Sequence, residues 1–130
     1  MTRVGDLTVI VADDDAGVRS ALSDLLVDHP GLDLVGVAAD GSAAAALCAQ
    51  LRPHLAVVDV MMPGGGVAAI AAIREASPRT AVVVYTARAD RRTRERMLGA
   101  GAVEVVVKGG AADVAAVLVN VGQNGARDVP

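Results

Sequence analysis

The 130-residue chain has no Phe, no Trp and one Tyr, so aromatic clusters cannot build its core. Val, Leu, Ile, Met and Ala have to fill the interior, which favours close packing of helices on a sheet. A single cysteine, Cys48, excludes an internal disulfide and suits a reducing compartment. Its simplest role is that of a small helix residue. No apolar run approaches the ~18 residues of a membrane span, and Met1-Thr2-Arg3-Val4-Gly5-Asp6 lacks the apolar stretch of a secretion signal. The formal net charge of −3 gives no broad attraction to nucleic acid or anionic lipid. Gly64-Gly65-Gly66 is not followed by Gly-Lys-Ser/Thr, so it reads as a flexible turn and not a phosphate loop. The expectation is a soluble cytoplasmic domain that contacts neither membrane nor nucleic acid itself.

What is present is 53% hydrophobic and 21% charged, the composition of a globular chain long enough for one core. Its organising stretch is Leu55-Ala56-Val57-Val58-Asp59, followed by Val60-Met61-Met62-Pro63-Gly64-Gly65-Gly66. Four apolar residues in a row read as a central strand buried on both faces. That strand runs into a carboxylate, which is costly at a buried position unless paired, hydrogen-bonded or metal-bound.

The remaining chain alternates. Leu7 to Ala12 is β-rich and stops at Asp13-Asp14-Asp15. From Ala16 the period becomes helical, with Val18, Leu22, Leu25 and Leu26 on one face and Asp15 placed as N-cap. Leu32 to Ala38 reads as a strand, Asp40-Gly41-Ser42 as a capped turn, and Ala43 to Leu51 as a helix ended by Pro53. After the Asp59 strand come a small-residue helix over Val67 to Ala76 and a strand from Ala81 to Tyr85 that ends at Thr86. Ala89 to Gly99 is an Arg-rich helix with Met97 and Leu98 as apolar anchors. Val103 to Val107 is a fifth strand ending at Lys108. Val114, Val117, Leu118 and Val121 mark a last helical face. Residues 1–121 thus form the domain, and 122–130, polar and without periodicity, read as a tail or the start of a linker. Five strand–helix units in strict alternation imply an α/β fold, a parallel sheet covered by helices on both faces.

In such a sheet Asp13, Asp14, Asp59, Thr86 and Lys108, all at strand ends, share one rim. Crowded carboxylates repel unless a divalent cation lies between them. An oxygen-only donor set favours a hard ion such as Mg²⁺. One carboxylate can then act as nucleophile toward phosphorus while Lys108 and Thr86 hold the other oxygens.

These residues carry a resemblance. An acidic pair after strand one, Asp59 after strand three, Thr86 after strand four and Lys108 after strand five make the chain, over Leu7 to Val121, similar to response-regulator receiver domains of two-component signalling (the CheY-like superfamily). In style it is nearest to receivers of DNA-binding transcriptional regulators. Arg19, Met62-Pro63 and Gly101-Ala102 are supporting matches. The resemblance implies a doubly wound, flavodoxin-like sheet of order 2-1-3-4-5. It further implies that Asp59 accepts a phosphoryl group from a sensor histidine kinase. Mg²⁺ would be held by Asp14, Asp59 and the Met61 backbone carbonyl, with Asp13 acting through water. Lys108 would pair with Asp59 at rest and with the phosphoryl group afterwards, and Thr86 would close on a phosphoryl oxygen. Such a chain is a signalling acceptor and not a metabolic enzyme.

The chain departs from the family pattern in places. Val105 stands where the switch aromatic usually is, and Gly109 where many relatives carry Pro. Met61 and Arg88, two positions beyond Asp59 and Thr86, are bulky and poor bases, which implies slow autodephosphorylation. Arg91, Arg92, Arg94 and Arg96 form either a solvated helix face or part of a homodimer or effector surface spanning helix four, strand five and helix five. The alternative function is a phosphorylation-independent, receiver-like interaction module. Val105 favours it and the Asp59, Thr86 and Lys108 set opposes it. A flavin- or nucleotide-binding enzyme is disfavoured by the triply acidic turn after strand one. His29 and His54 read as surface residues beside prolines.

Overall fold

A computed structural model describes residues 6–62, 64–87, 90–109 and 113–128, with side chains described as far as Asn124. The elements alternate without exception: β1 Leu7–Ala12, α1 Ala16–Val27, β2 Leu32–Ala38, α2 Gly41–Leu51, β3 Leu55–Val58, α3 Gly66–Ala76, β4 Ala81–Thr86, α4 Arg91–Ala100, β5 Glu104–Val107 and α5 Val114–Asp128. The five strands are parallel and ordered β2-β1-β3-β4-β5, a flavodoxin-like α/β arrangement.

Alternation along each strand divides the interior into two cores. Ile10, Ala12, Ala56, Val58, Val82, Val84 and Val105 face α2, α3 and α4. Val9, Val11, Leu55, Val57, Val83 and Val106 face α1 and α5. Ile10, Leu26, Leu55, Ile70, Ile73 and Leu118 are among the fully buried side chains, each stabilising the fold by about 1.5–3 kcal/mol. Small residues replace the missing aromatics by bringing elements close together. A Cβ on Gly41 would lie 2.9 Å from that of Ala69, so α2 and α3 touch at the backbone. Cys48 lies fully buried in this core, and burial pushes its thiol pKa up to about 11, as expected of an inert packing residue.

Caps fix where the helices begin. Asp15, Asp40 and Asp90 each accept a hydrogen bond from the backbone N–H three residues on, at 3.0, 2.8 and 2.8 Å. α4 therefore starts at Arg91, later than the expected Ala89, which lies outside the described residues.

Two expected helical faces are narrower in the structure. Leu25 is 50% exposed and Leu98 38%, so α1 buries Leu22 and Leu26, and α4 buries Met97 alone. The final helix is longer than expected: α5 continues past Val121 to Asp128. The stretch from residue 122 that had read as a tail is thus helical as far as the structure describes it. The reason lies in Gly122, which is buried and whose Cβ, if present, would collide with the Leu7 side chain. A glycine makes that contact, so no apolar periodicity announces it.

Candidate functional site

The order of strand addition reverses between β1 and β3, the position where open α/β sheets place ligands. Three backbone hydrogen bonds carry the ladders one residue past the strands at this rim. The Asp13 N–H donates to the Ala38 carbonyl (3.1 Å), the Asp59 N–H to Ala12 (3.0 Å) and the Lys108 N–H to Thr86 (2.7 Å). Asp13, Asp59 and Lys108 are thereby each anchored to a neighbouring strand, and their side chains start from fixed points.

Asp13 is 2% exposed, and each of its three oxygens accepts a hydrogen bond. Its Oδ1 accepts the Asp15 N–H at 3.0 Å, its Oδ2 accepts from Lys108 Nζ at 3.0 Å, and its carbonyl accepts from Arg19 at 2.8 Å. Asp59 is 6% exposed. Its Oδ1 accepts the Met61 N–H at 3.1 Å and its Oδ2 accepts from Lys108 Nζ at 2.9 Å. The ammonium thus pairs with Asp59, as the resemblance implies, and bridges it to Asp13 as well. Asp14 is exposed. Asp13, Asp14 and Asp59 each offer one oxygen within 4.8 Å of the others. Thr86, fully buried at the end of β4, lies opposite Val107.

The electrostatics follow from this crowding. Burial raises the Asp13 pKa above the usual aspartate value, and the Asp59 charge adds to it; hydrogen bonds from Asp15 and Lys108 only partly offset the rise. Burial alone would lower the Lys108 pKa. Hydrogen bonds and charges from Asp59 and Asp13 outweigh it, so the ammonium is held above the ordinary lysine value. Three carboxylates against one ammonium leave the rim with excess negative charge. The donors are oxygens only, and the exposed Asp14 faces water, so the set fits a hard divalent cation with waters in its shell.

The adjoining turn is shaped by glycine. Gly64 and Gly65 have φ of +88° and +89°, and a Cβ on Gly66 would come within 2.8 Å of the Val60 Cα. Met62 is buried beneath this turn while the Met61 side chain is 68% exposed. Pro63 and Arg88 lie outside the described residues. Val105 is 5% exposed in the core facing α4. Tyr85 sits on the opposite face of the sheet, with Lys108 Nζ 5.7 Å from its ring centre. Sequence reasoning missed the Arg19 contact with the Asp13 carbonyl and the Tyr85 contact with Lys108. The available signals were Arg19 one helical turn after the Asp15 cap and an aromatic directly before Thr86.

The family description "response regulator receiver domain" matches residues 9–119, and the chain belongs to that family. Over 105 residues it is 35% identical to a protein-glutamate methylesterase/protein-glutamine glutaminase of Nocardioides sp., covering 78% of this chain and 29% of that protein. Over 104 residues it is 34% identical to the response regulator GacA of Pseudomonas protegens, covering 79% of this chain and 49% of GacA. The chain therefore spans less than half the length of either relative, and the esterase activity in the first name belongs to that protein.

Among solved structures, the signal receiver domain of NarL from Mycobacterium tuberculosis superposes with a TM-score of 0.84 at 26% identity. That match covers 91% of this chain and 97% of the solved receiver-domain chain. The response regulator domain of Thermotoga maritima CheB gives a TM-score of 0.79 at 25% identity, covering 96% of this chain and 99% of the other.

Proposed function

We propose that this chain is a phosphoacceptor switch in which Asp59 takes a phosphoryl group from the phosphohistidine of a sensor histidine kinase. The observation that carries this reading is the Lys108 bridge: one ammonium within 3.0 Å of carboxylate oxygens on both Asp13 and Asp59. An Asp59 carboxylate oxygen forms the new bond to phosphorus. The phosphorus–nitrogen bond breaks, and the imidazole keeps the electron pair and is protonated. Lys108, already at Asp59, then pairs with a phosphoryl oxygen, and the Thr86 hydroxyl holds another. Asp14, Asp59 and the Met61 carbonyl would hold Mg²⁺, with Asp13 acting through water. When bound, the ion neutralises charge on the transferred oxygens. The chain is a cytoplasmic signalling acceptor and not a metabolic enzyme.

The output surface is the face of α4, β5 and α5, where a second copy or an effector domain docks. Leu98, Val103 and Val107 are 38–46% exposed there. Arg94 pairs with Glu104 of β5 at 3.1 Å and Arg91 with Glu95, while Arg96, also exposed, lines the groove between α3 and α4. Val105 carries no ring to rotate, so a shift of β4 against β5, coupled through the Thr86 carbonyl and the Lys108 N–H, replaces an aromatic swing. The same residue favours the second reading, an interaction module indifferent to phosphorylation.

Incubation with acetyl phosphate and Mg²⁺, followed by intact-mass measurement, separates the two. The phosphoacceptor reading requires one added phosphoryl group on wild type and none on Asp59→Asn. Equal labelling of the two proteins, or no labelling of wild type, favours the interaction module.

A further inference from the structure

Lys108 reaches its two carboxylates on a long, flexible stem, and such a side chain loses much rotamer freedom when it is held in place. Two hydrogen bonds fix the ammonium from the Asp13 and Asp59 side. A third contact comes from the other direction, where Nζ lies 5.7 Å from the ring centre of Tyr85. That separation is within the ~6 Å at which a ring face attracts a cation. The ring itself is constrained: Tyr85 is half-buried, pairs with Val106 across the ladder and packs against the core beneath α1 and α5. It is the only Phe, Tyr or Trp residue in the chain.

We infer that Tyr85 is a positioning residue for Lys108, its ring face keeping the ammonium where it meets the oxygens of Asp59. The inference rests on the phosphoacceptor reading and adds a residue to it. It uses the ring and not the hydroxyl, so phenylalanine should serve and an aliphatic residue should not. Tyr85 also borders an open groove against Val18, Leu22 and Leu25 of α1, so removing the ring leaves no sealed cavity.

The test compares wild type with Tyr85→Phe, Tyr85→Leu and Tyr85→Met, the last a second ring-free variant should leucine fail to fold. In metal-free, isotope-labelled protein the Lys108 Hε resonances should lie upfield in wild type and Tyr85→Phe, and move downfield in both ring-free variants. Beryllofluoride with Mg²⁺ should bind the ring-free variants about three- to ten-fold more weakly, with affinity restored in Tyr85→Phe. Identical Lys108 resonances with and without the ring overturn the inference, as does undiminished affinity in the ring-free variants. Wild type that shows the upfield Lys108 signal yet takes no beryllofluoride overturns the phosphoacceptor reading instead, the contact with Tyr85 being then intact.

Discussion

The two ends of the sheet use polar side chains in opposite ways. At the entry to β1, β3 and β4, hydroxyls, an imidazole and backbone groups satisfy one another. The Thr80 hydroxyl bonds the Pro53 carbonyl and the Ser77 hydroxyl, both at 2.7 Å. Thr8 and His54 exchange bonds at 2.9 and 3.0 Å, the His54 ring accepting from the Thr8 N–H and the His54 N–H donating to the Thr8 hydroxyl. At the exit the groups are charged, and acids outnumber bases. One ammonium serves two buried carboxylates, while a third carboxylate faces water. The Ser77, Thr80 and Pro53 set is hydrogen-bonded within itself and offers no net charge to a ligand. An under-neutralised acidic cluster is stabilised by any cation that fits it. The asymmetry separates polar groups that are complete within the fold from a cluster left with net negative charge.

The contrast breaks most readily at Lys108. Lys108→Met leaves two buried carboxylates facing each other without a cation, and should cost about 2–4 kcal/mol in metal-free urea unfolding. Combining it with Asp13→Asn should recover part of that loss. The pH dependence has a definite sign. The folded-state pKa of Lys108 lies above its ordinary value. The bridge therefore contributes fully below the ordinary lysine pKa and is lost as pH rises through the folded-state value. Wild type should lose stability over that alkaline range, and Lys108→Met should lose less.

At the opposite end, Thr80→Val keeps the shape but strands the Pro53 carbonyl and the Ser77 hydroxyl. The expected cost is about 1–3 kcal/mol, independent of Mg²⁺ and of alkaline pH. A Mg²⁺-dependent loss in that variant would erase the distinction between the ends.

Mg²⁺ itself should raise the unfolding free energy of wild type by about 2.7 kcal/mol when it is present at a hundred times its dissociation constant. Asp14→Asn should weaken that response without lowering metal-free stability, because the exposed Asp14 carboxylate adds to the repulsion there. Smallest is a kinetic effect. Replacing Met61 and Arg88 together by Ala should shorten the phosphoryl half-life several-fold by opening the path for water. An unchanged or longer half-life removes these side chains from the account.

Much of this was legible from sequence because the decisive residues interrupt strong patterns. The run Leu55 to Val58 is apolar because β3 is buried on both faces, so Asp59 stands out at its end. Asp15 and Asp40 were readable as caps because short acidic side chains before helical periods have few other roles. Strict alternation gave the parallel sheet, and a parallel sheet gathers strand ends.

The remainder depended on lateral neighbours that one-dimensional spacing does not encode. Lys108 reaches Asp13 only because β1, β3, β4 and β5 lie side by side. Tyr85 meets Lys108 because their side chains leave adjacent strands on one face. Leu25 and Leu98 extend apolar stripes beyond the area the sheet covers. α5 outruns its periodicity because Gly122, with no side chain to count, makes its contact with Leu7.

The central claim is that the charged rim takes a phosphoryl group on Asp59 and passes the change to β4 and β5. An amide NMR titration with beryllofluoride and Mg²⁺, on wild type and Asp59→Asn, tests it most directly. The account predicts shifts at Asp59, Thr86 and Lys108 that extend into α4 and α5 through Val105, and that vanish in the variant. Shifts at Asp13 and Asp14 with Mg²⁺ alone, and no further response to beryllofluoride, would contradict it and leave an interaction module in its place.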